Sequence, residues 1–302
     1  MLWIPITLAA AALQTARNAF QRGLTGALSP LGATSTRFVF GLPFAALWAI
    51  AVFHLTATPL PAPEAAFFAW ATLGGVAQIA GTACLLHLFQ LRNFAAGIAF
   101  SKSEVLQVAV FGLVVLGDAI TALAAGSIAV ATAGLVLLAR ETGALDWRGA
   151  LASLGGRPAL LGLATGGCYA IAAVGFRAAS LSLGLPFVVS AAATLVVSMA
   201  IQSAVVLALL RVREPGQVGA VAREWRRSLL PGLTGAAASA CWFMAMTIEV
   251  AAYVRMLGLV EVLFGYGVAI FGLGERPGRR EQIGTLLLVA AILGLLWDRA
   301  GA

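Results

Sequence analysis

The sequence predicts an all-α integral membrane protein with ten transmembrane helices, and three observations support this. Of the 302 residues, 61% are hydrophobic and only 10% are charged, and the mean hydropathy is +0.97. A soluble core cannot bury that much apolar surface, whereas each lipid-facing position of a membrane helix requires an apolar side chain. Apolar stretches of about 20 residues, enough to cross a bilayer, also recur along the whole chain.

Ten such segments are predicted. The connections between them are short, and neither of the longest two, Arg140–Arg157 and Arg211–Ser228, is long enough to bury a core of its own. In chain order, the segments are Trp3–Arg22, Leu31–His54, Ala65–Gln90, Phe94–Leu116, Ile120–Ala139, Ala159–Leu181, Pro186–Leu210, Leu229–Ile248, Ala251–Leu273 and Gln282–Trp297.

The first five segments differ in the polar residues that they carry. The fifth has no charge, and its small residues Ala125, Ala129 and Ala133 recur every four positions, which predicts a helix that packs closely on either the other half of the chain or a second protomer. The other four carry Gln14, Arg17, Asn18 and Gln21 on one face of the first, Arg37 in the second, Gln78 and Thr82 in the third, and Lys102, Ser103, Glu104 and Gln107 in the fourth.

The last five segments follow the same plan of apolar helices with few polar positions. The seventh has a polar stripe at every fourth residue, which serves either a cavity or hydrogen bonds to its own backbone. The polar and aromatic positions are Tyr169 and Arg177 in the sixth segment, Ser190, Thr194, Ser198 and Gln202 in the seventh, Trp242 in the eighth, and Tyr253, Arg255 and Glu261 in the ninth.

The chain also repeats itself at an offset of 156 to 157 residues. We therefore predict two five-helix repeats at residues 1–140 and 158–302, joined by a cytoplasmic linker at residues 141–157. Because five is an odd number, the two repeats must enter the membrane in opposite directions, which is the inverted arrangement of many secondary transporters. The matching positions are Phe20 and Phe176, Pro30 and Pro186, Gly75 and Gly232, Cys84 and Cys241, Glu104 and Glu261, and Gly117-Asp118 and Gly274-Glu275.

This architecture resembles the drug/metabolite transporter superfamily, specifically its ten-helix permeases with EamA-type repeats. The resemblance covers the whole chain and includes the Gly-Glu-Arg-Pro sequence at Gly274–Pro277. It implies a central cavity lined by helices 1–4 and 6–9, with helices 5 and 10 outside it. It also implies transport of a small molecule, favours export, and does not identify the substrate.

The charge distribution predicts the orientation. The net charge is +7, and thirteen arginines lie in the connections after the odd-numbered segments, against Arg299 alone on the other side. The positive-inside rule then places those connections in the cytoplasm and both termini outside, whereas the resemblance implies termini inside. Charge placed in this way faces a membrane interface, so we expect membrane lipid and no nucleic acid as a partner.

Glu104 and Glu261 are the strongest functional candidates, because each is expected about ten residues into its helix and they are mates in the predicted repeat. A carboxylate at that depth binds a cationic group, exchanges a proton or pairs with a buried cation such as Arg17, Arg37 or Lys102. The predicted substrate-binding and coupling residues are Glu104, Glu261, Gln14, Arg17, Asn18, Gln78, Gln107, Tyr169 and Trp242.

Both signs of charge, with amides, hydroxyls and aromatic rings, favour a secondary active transporter for a small polar metabolite such as an amino acid or a similar zwitterion. Protons are the expected coupling ion, and the bacterial inner membrane is the expected location. The alternatives are an exporter of lipophilic cations and a non-transporting scaffold or receptor subunit, as a monomer or a homodimer. The sequence has no phosphate-binding loop and no metal-ligand spacing, so we expect neither an enzyme nor a cofactor or metal. The three cysteines are expected to be packing residues.

Overall fold

The computed structural model describes residues 1–24, 26–59, 61–89, 101–138, 156–267 and 278–300. The regular secondary structure of these residues is entirely helical. Most of the predicted linker and the Gly274–Pro277 sequence lie outside the described residues. The helices are α1 (Trp3–Arg22), α2 (Pro30–Val39), α3 (Leu42–Thr56), α4 (Ala65–Phe89), α5 (Glu104–Leu116), α6 (Ala122–Leu138), α7 (Arg157–Ser182), α8 (Phe187–Arg213), α9 (Pro215–Arg223), α10 (Trp225–Ile248), α11 (Ala251–Leu257), α12 (Val260–Gly267) and α13 (Arg279–Ala300).

Six helical stretches in the described part of the chain are long and apolar enough to cross a bilayer, so this is a multi-pass membrane protein. Helices α5 and α6 are apolar but shorter. Ten spans and an inverted repeat remain predictions. The six stretches are Pro30–Thr56, Ala65–Leu85, Arg157–Ser182, Phe187–Arg213, Trp225–Ile248 and Arg279–Ala300.

The predicted second segment consists of two helices, α2 and α3, that meet at a short turn formed by Phe40 and Gly41. Pro43 lies in the first turn of α3. It has no N–H to donate, and its ring clashes with a helical carbonyl four residues earlier, so one regular helix cannot run through this point. Helix α10 packs directly on the turn, since a Cβ atom on Gly232 would lie 2.7 Å from the Phe40 carbonyl oxygen.

The predicted polar connection at Arg211–Ser228 contains a further helix, α9, and α10 begins four residues before its predicted start. Pro215 starts α9, where the missing N–H costs nothing because the first helical N–H groups have no partner within the helix. One face of α9 is apolar, and Val221 is buried against Leu24, Leu28 and Leu210. A helix of nine residues with a single apolar face is hard to recognise within a charged stretch.

The described residues divide into two compact units, and each unit contains parts of both predicted repeats. The first unit consists of Met1–Ile79 and Gly175–Val250. In it, α1 packs along α10, and α8 packs on α2, α3 and α10. The rings of Phe176 and Phe243 lie 4.6 Å apart between their centroids.

The second unit consists of Ala80–Val174 and Ala251–Ala302, and its main contact is between α6 and α13. The glycines of the two helices touch, since a Cβ atom on Gly134 would lie 2.8 Å from the Gly284 carbonyl oxygen. Ala125, Ala129 and Ala133 of the predicted small-residue stripe are exposed, so they do not pack on the described helices of the chain, and packing on a second protomer stays a prediction. The buried face is shifted by one position, to Ala124, Ser127, Ile128, Ala131, Gly134 and Leu135.

Candidate functional site

Helix α5 begins at Glu104 itself, whereas the sequence predicted one continuous helix that starts about ten residues earlier. Residues 90–100 lie outside the described residues, so the depth of Glu104 in its segment stays a prediction. Ser101 is helical, the chain turns at Lys102 and Ser103, and α5 then starts. An N-terminal turn exposes backbone N–H groups and the positive end of the helix dipole, both of which stabilise a carboxylate. Glu104 therefore lies at an interruption of a predicted membrane segment, where an anion is stabilised.

The predicted ninth segment is interrupted at the corresponding place. Helix α11 ends at Leu257, Gly258 and Leu259 form a turn, and α12 begins one residue before Glu261. Across this turn the Glu261 N–H donates to the Gly258 carbonyl oxygen over 3.0 Å, a bond that spans three residues rather than four. Tightened turns of this kind within a helix often mark functional hinges. The turns at Lys102–Ser103 and Gly258–Leu259 are 156 residues apart, which agrees to within one residue with the offset of 157 that relates Glu104 to Glu261.

Arg255 forms an ion pair with Glu104, with its Nη2 atom donating to Glu104 Oε1. The Glu104 side chain is 12% exposed and the Arg255 side chain is 23% exposed, so water screens the pair only in part. Arg255 lies in the last turn of α11, where the negative end of the helix dipole favours a cation. Each partner is thus stabilised by its own helix as well as by the other partner.

Gly166 of α7 allows that helix to pack directly against the start of α5. A Cβ atom on Gly166 would lie 2.9 Å from the Ser101 carbonyl oxygen and 3.1 Å from the Glu104 amide nitrogen. Gln107 donates to Ser103 Oγ over 2.7 Å and more weakly to the Leu163 carbonyl oxygen over 3.3 Å. Only a residue without a side chain allows this approach, so α7 fixes the position of the interruption.

A network of contacts around the buried Tyr253 holds α11, which carries Arg255. The Tyr253 side chain is fully buried, and its hydroxyl accepts a hydrogen bond from the Thr121 N–H over 3.2 Å. The Thr121 hydroxyl donates to the Asp298 carboxylate over 2.8 Å. The Arg299 guanidinium lies 5.0 Å from the centre of the Tyr253 ring. These contacts connect α11 to the beginning of α6 and the end of α13.

Tyr169 contacts α4 within the same unit. Its hydroxyl and that of Thr82 lie 3.3 Å apart and form a hydrogen bond. The ring packs over Gly81, where an added Cβ atom would be 3.0 Å from two ring carbons. Tyr169 is therefore held by α4.

The first unit brings two of the predicted residues into direct contact. Trp242 is 6% exposed, and its Nε1 atom donates to Gln14 Oε1 over 3.0 Å, between α10 and α1. Gln78 accepts a hydrogen bond of 2.6 Å from Gln202, which also approaches the Gly75 carbonyl oxygen at 3.4 Å. The indole and the three amides thus form polar links between apolar helices.

Arg17 and Asn18 are bonded to each other on α1, with Arg17 Nη2 donating to Asn18 Oδ1 over 2.7 Å. Arg17 and Arg37 are both buried, and both approach Gly235 of α10, where an added Cβ atom would be 3.3 Å from Arg17 and 3.5 Å from Arg37. The Arg37 guanidinium also lies 4.4 Å from the centre of the Phe38 ring. The two arginine side chains thus meet at one glycine of α10.

The structure thus distributes the nine predicted residues over both units. Gln14, Arg17, Asn18, Gln78 and Trp242 lie in the first, and Glu104, Gln107, Tyr169 and Glu261 lie in the second.

Sequence reasoning missed two partners, Arg255 for Glu104 and Gln202 for Gln78. The sequence contained a signal for each of these partners. Arg255 is a charged residue within an apolar segment, and Gln202 is the last residue of the polar stripe of α8. Within the described residues, no group of three His, Cys, Asp or Glu side chains is placed to bind a metal ion.

Comparison with known proteins adds the fold alone. No family model matches the chain, and no curated protein matches it. Of the 27 chains of solved structures that match, one described only as "Crystal structure of protein" superimposes with a TM-score of 0.69. It is 17% identical, and the match covers 98% of both chains. The whole chain therefore has a fold that is also found in a crystal structure, and this similarity carries no information about activity.

Proposed function

We propose that this protein is a secondary active transporter of a small polar metabolite. The observation that carries the proposal is the pair of helix interruptions just before Glu104 and Glu261, whose positions in the two predicted repeats correspond to within one residue. In membrane transporters, interrupted helices expose backbone groups and helix ends to a ligand near the middle of the membrane. A scaffold or receptor subunit has no need of two matching interruptions that each precede an acidic residue.

The Glu104–Arg255 pair favours a zwitterionic substrate such as an amino acid. A zwitterion offers an ammonium group to Glu104 and a carboxylate to Arg255, so neither protein charge loses its partner during binding. A lipophilic cation would occupy Glu104 and offer no carboxylate to Arg255, so the ion pair would be broken without being replaced. The pair therefore argues against the cation-exporter alternative.

The proposal also includes alternating access through a central cavity, export as the direction of transport, protons as the coupling ion, and a location in the bacterial inner membrane. Glu104 is the proposed proton carrier, because carboxylates within membrane segments serve as proton relays in transporters. The resemblance to the drug/metabolite transporter superfamily supports export and the location.

The proposal is tested by counterflow in liposomes that contain the purified protein. Each liposome sample is loaded with one unlabelled L-amino acid, and uptake of the same amino acid in labelled form is measured. At least one amino acid should exchange faster than in protein-free liposomes, and its matched amine and matched carboxylic acid should compete poorly. Rates equal to those of empty liposomes for every amino acid would overturn the proposal.

A further inference from the structure

Two of the three cysteines face each other in the second unit. Cys84 lies on α4 and Cys168 on α7, both are only partly buried, and their thiols are hydrogen-bonded. The sequence predicted only packing roles for them.

The two helices are close together at this point. A Cβ atom added to Gly81 would lie 3.1 Å from the Cβ atom of Cys168. Gly81 and Cys84 are three residues apart on α4, so they occupy the same face of that helix. The Thr82–Tyr169 hydrogen bond joins the same two helices beside the cysteines. Two contacts thus hold α4 and α7 together where the thiols meet.

We propose that Cys84 and Cys168 form an oxidisable dithiol, which a lipid-soluble oxidant converts into a disulfide that cross-links α4 to α7. A disulfide requires Cβ atoms roughly 3.5–4.5 Å apart, and thiols already in hydrogen-bond contact need only side-chain rotation to approach this geometry. Two S–H bonds break and one S–S bond forms. With dioxygen as oxidant, the two protons and two electrons reduce it to hydrogen peroxide.

The disulfide would replace the non-covalent contact between α4 and α7 with a covalent bond. This bond would lie beside Tyr169, a predicted substrate-binding residue. Oxidation would then prevent α4 and α7 from separating within this unit, and a reductant would restore their freedom. The proposal rests on the contact between the thiols and requires no transport activity.

The test uses the purified full-length protein in detergent and copper(II)-phenanthroline in air, which catalyses oxidation by dioxygen. Free thiols are then alkylated after unfolding, and the peptides are identified by mass spectrometry. We expect Cys84 and Cys168 to escape alkylation together and to appear as one disulfide-linked peptide pair, while Cys241 remains a thiol. In Cys84→Ser, Cys168 should regain alkylation by at least tenfold over oxidised wild type.

A second measurement makes a negative result decisive. Dibromobimane penetrates membranes and becomes fluorescent when both of its arms alkylate neighbouring thiols. Wild type should fluoresce, and both Cys84→Ser and Cys168→Ser should lose at least nine-tenths of the signal. The proposal is overturned if neither reagent bridges Cys84 and Cys168 in the folded protein, or if the linked peptide pair contains Cys241.

Discussion

Removing one partner of the Glu104–Arg255 pair should cost far more stability than removing both. Arg255→Gln leaves the Glu104 carboxylate in a site where its side chain is 12% exposed, and Glu104→Gln leaves the Arg255 guanidinium in a site where it is 23% exposed. Glutamine keeps the length and polarity of glutamate, so the variants differ from wild type mainly in charge.

The magnitude follows from burial and from the helix dipoles. A buried pair that loses one partner costs about 3–5 kcal/mol, and partial exposure places this pair near the lower end. The dipole of α5 continues to stabilise Glu104 by about 0.3–1 kcal/mol, so each single variant should lose about 2–3 kcal/mol. Replacing both charges leaves no unpaired ion, so the double variant should lose about 1 kcal/mol or less.

Thermal unfolding of the purified variants measures the effect. At about 2–4 °C per kcal/mol, each single variant should melt about 4–12 °C below wild type, and the double variant within about 4 °C of it. The two substitutions should therefore be strongly non-additive, as expected for residues in direct contact. If the loss in the double variant equals the sum of the two single losses, the pair does not stabilise the protein and the reasoning is wrong.

Further predictions concern packing and topology. Gly134→Ala should destabilise by about 1–3 kcal/mol because its Cβ would lie 2.8 Å from a carbonyl oxygen of α13, whereas Ala125→Leu, on the exposed face, should stay within about 0.5 kcal/mol; equal melting temperatures would refute the assigned packing face. Trp242→Phe should lose about 1 kcal/mol with its hydrogen bond to Gln14, and an unchanged melting temperature would contradict this. Gly216 lies in the arginine-rich connection between α8 and α10. In a variant that lacks the three native cysteines, Gly216→Cys should resist labelling by a membrane-impermeant maleimide in intact cells, because the connection is predicted to be cytoplasmic. Rapid labelling from outside would reverse the predicted orientation.

Composition and hydropathy were sufficient to predict an all-helical membrane protein, because lipid contact imposes apolar side chains over whole spans. They did not predict the interruptions at Lys102–Ser103 and Gly258–Leu259. Neither contains proline. Gly258–Leu259 lies in apolar sequence, and the polar residues at Lys102–Ser103 were interpreted as polar positions of one continuous helix. Pro43 was a visible signal for the turn between α2 and α3, although hydropathy averaged over the segment conceals it.

The candidate site was partly predictable for a similar reason. A charge in an apolar segment is conspicuous, so Glu104 could be selected from the sequence, but its partner depends on which helices are neighbours. Arg255 lies 151 residues away in the sequence and pairs with it only through the packing of α11 on α5. The shifted packing face of α6 has another cause, since an alanine-rich helix presents two adjacent small-residue stripes and only contact with α13 distinguishes them.

The central claim is that Glu104 and Arg255 carry out coupled transport, and flux through a folded variant without these charges tests it most directly. The measurement compares wild type with the Glu104→Gln/Arg255→Gln double variant in liposomes under an imposed pH gradient, using the amino acid with the fastest counterflow. The account predicts that wild type accumulates the amino acid against its gradient and that the double variant does not, although its melting temperature shows that it is folded. Gradient-driven accumulation by the double variant at the wild-type rate would contradict the claim.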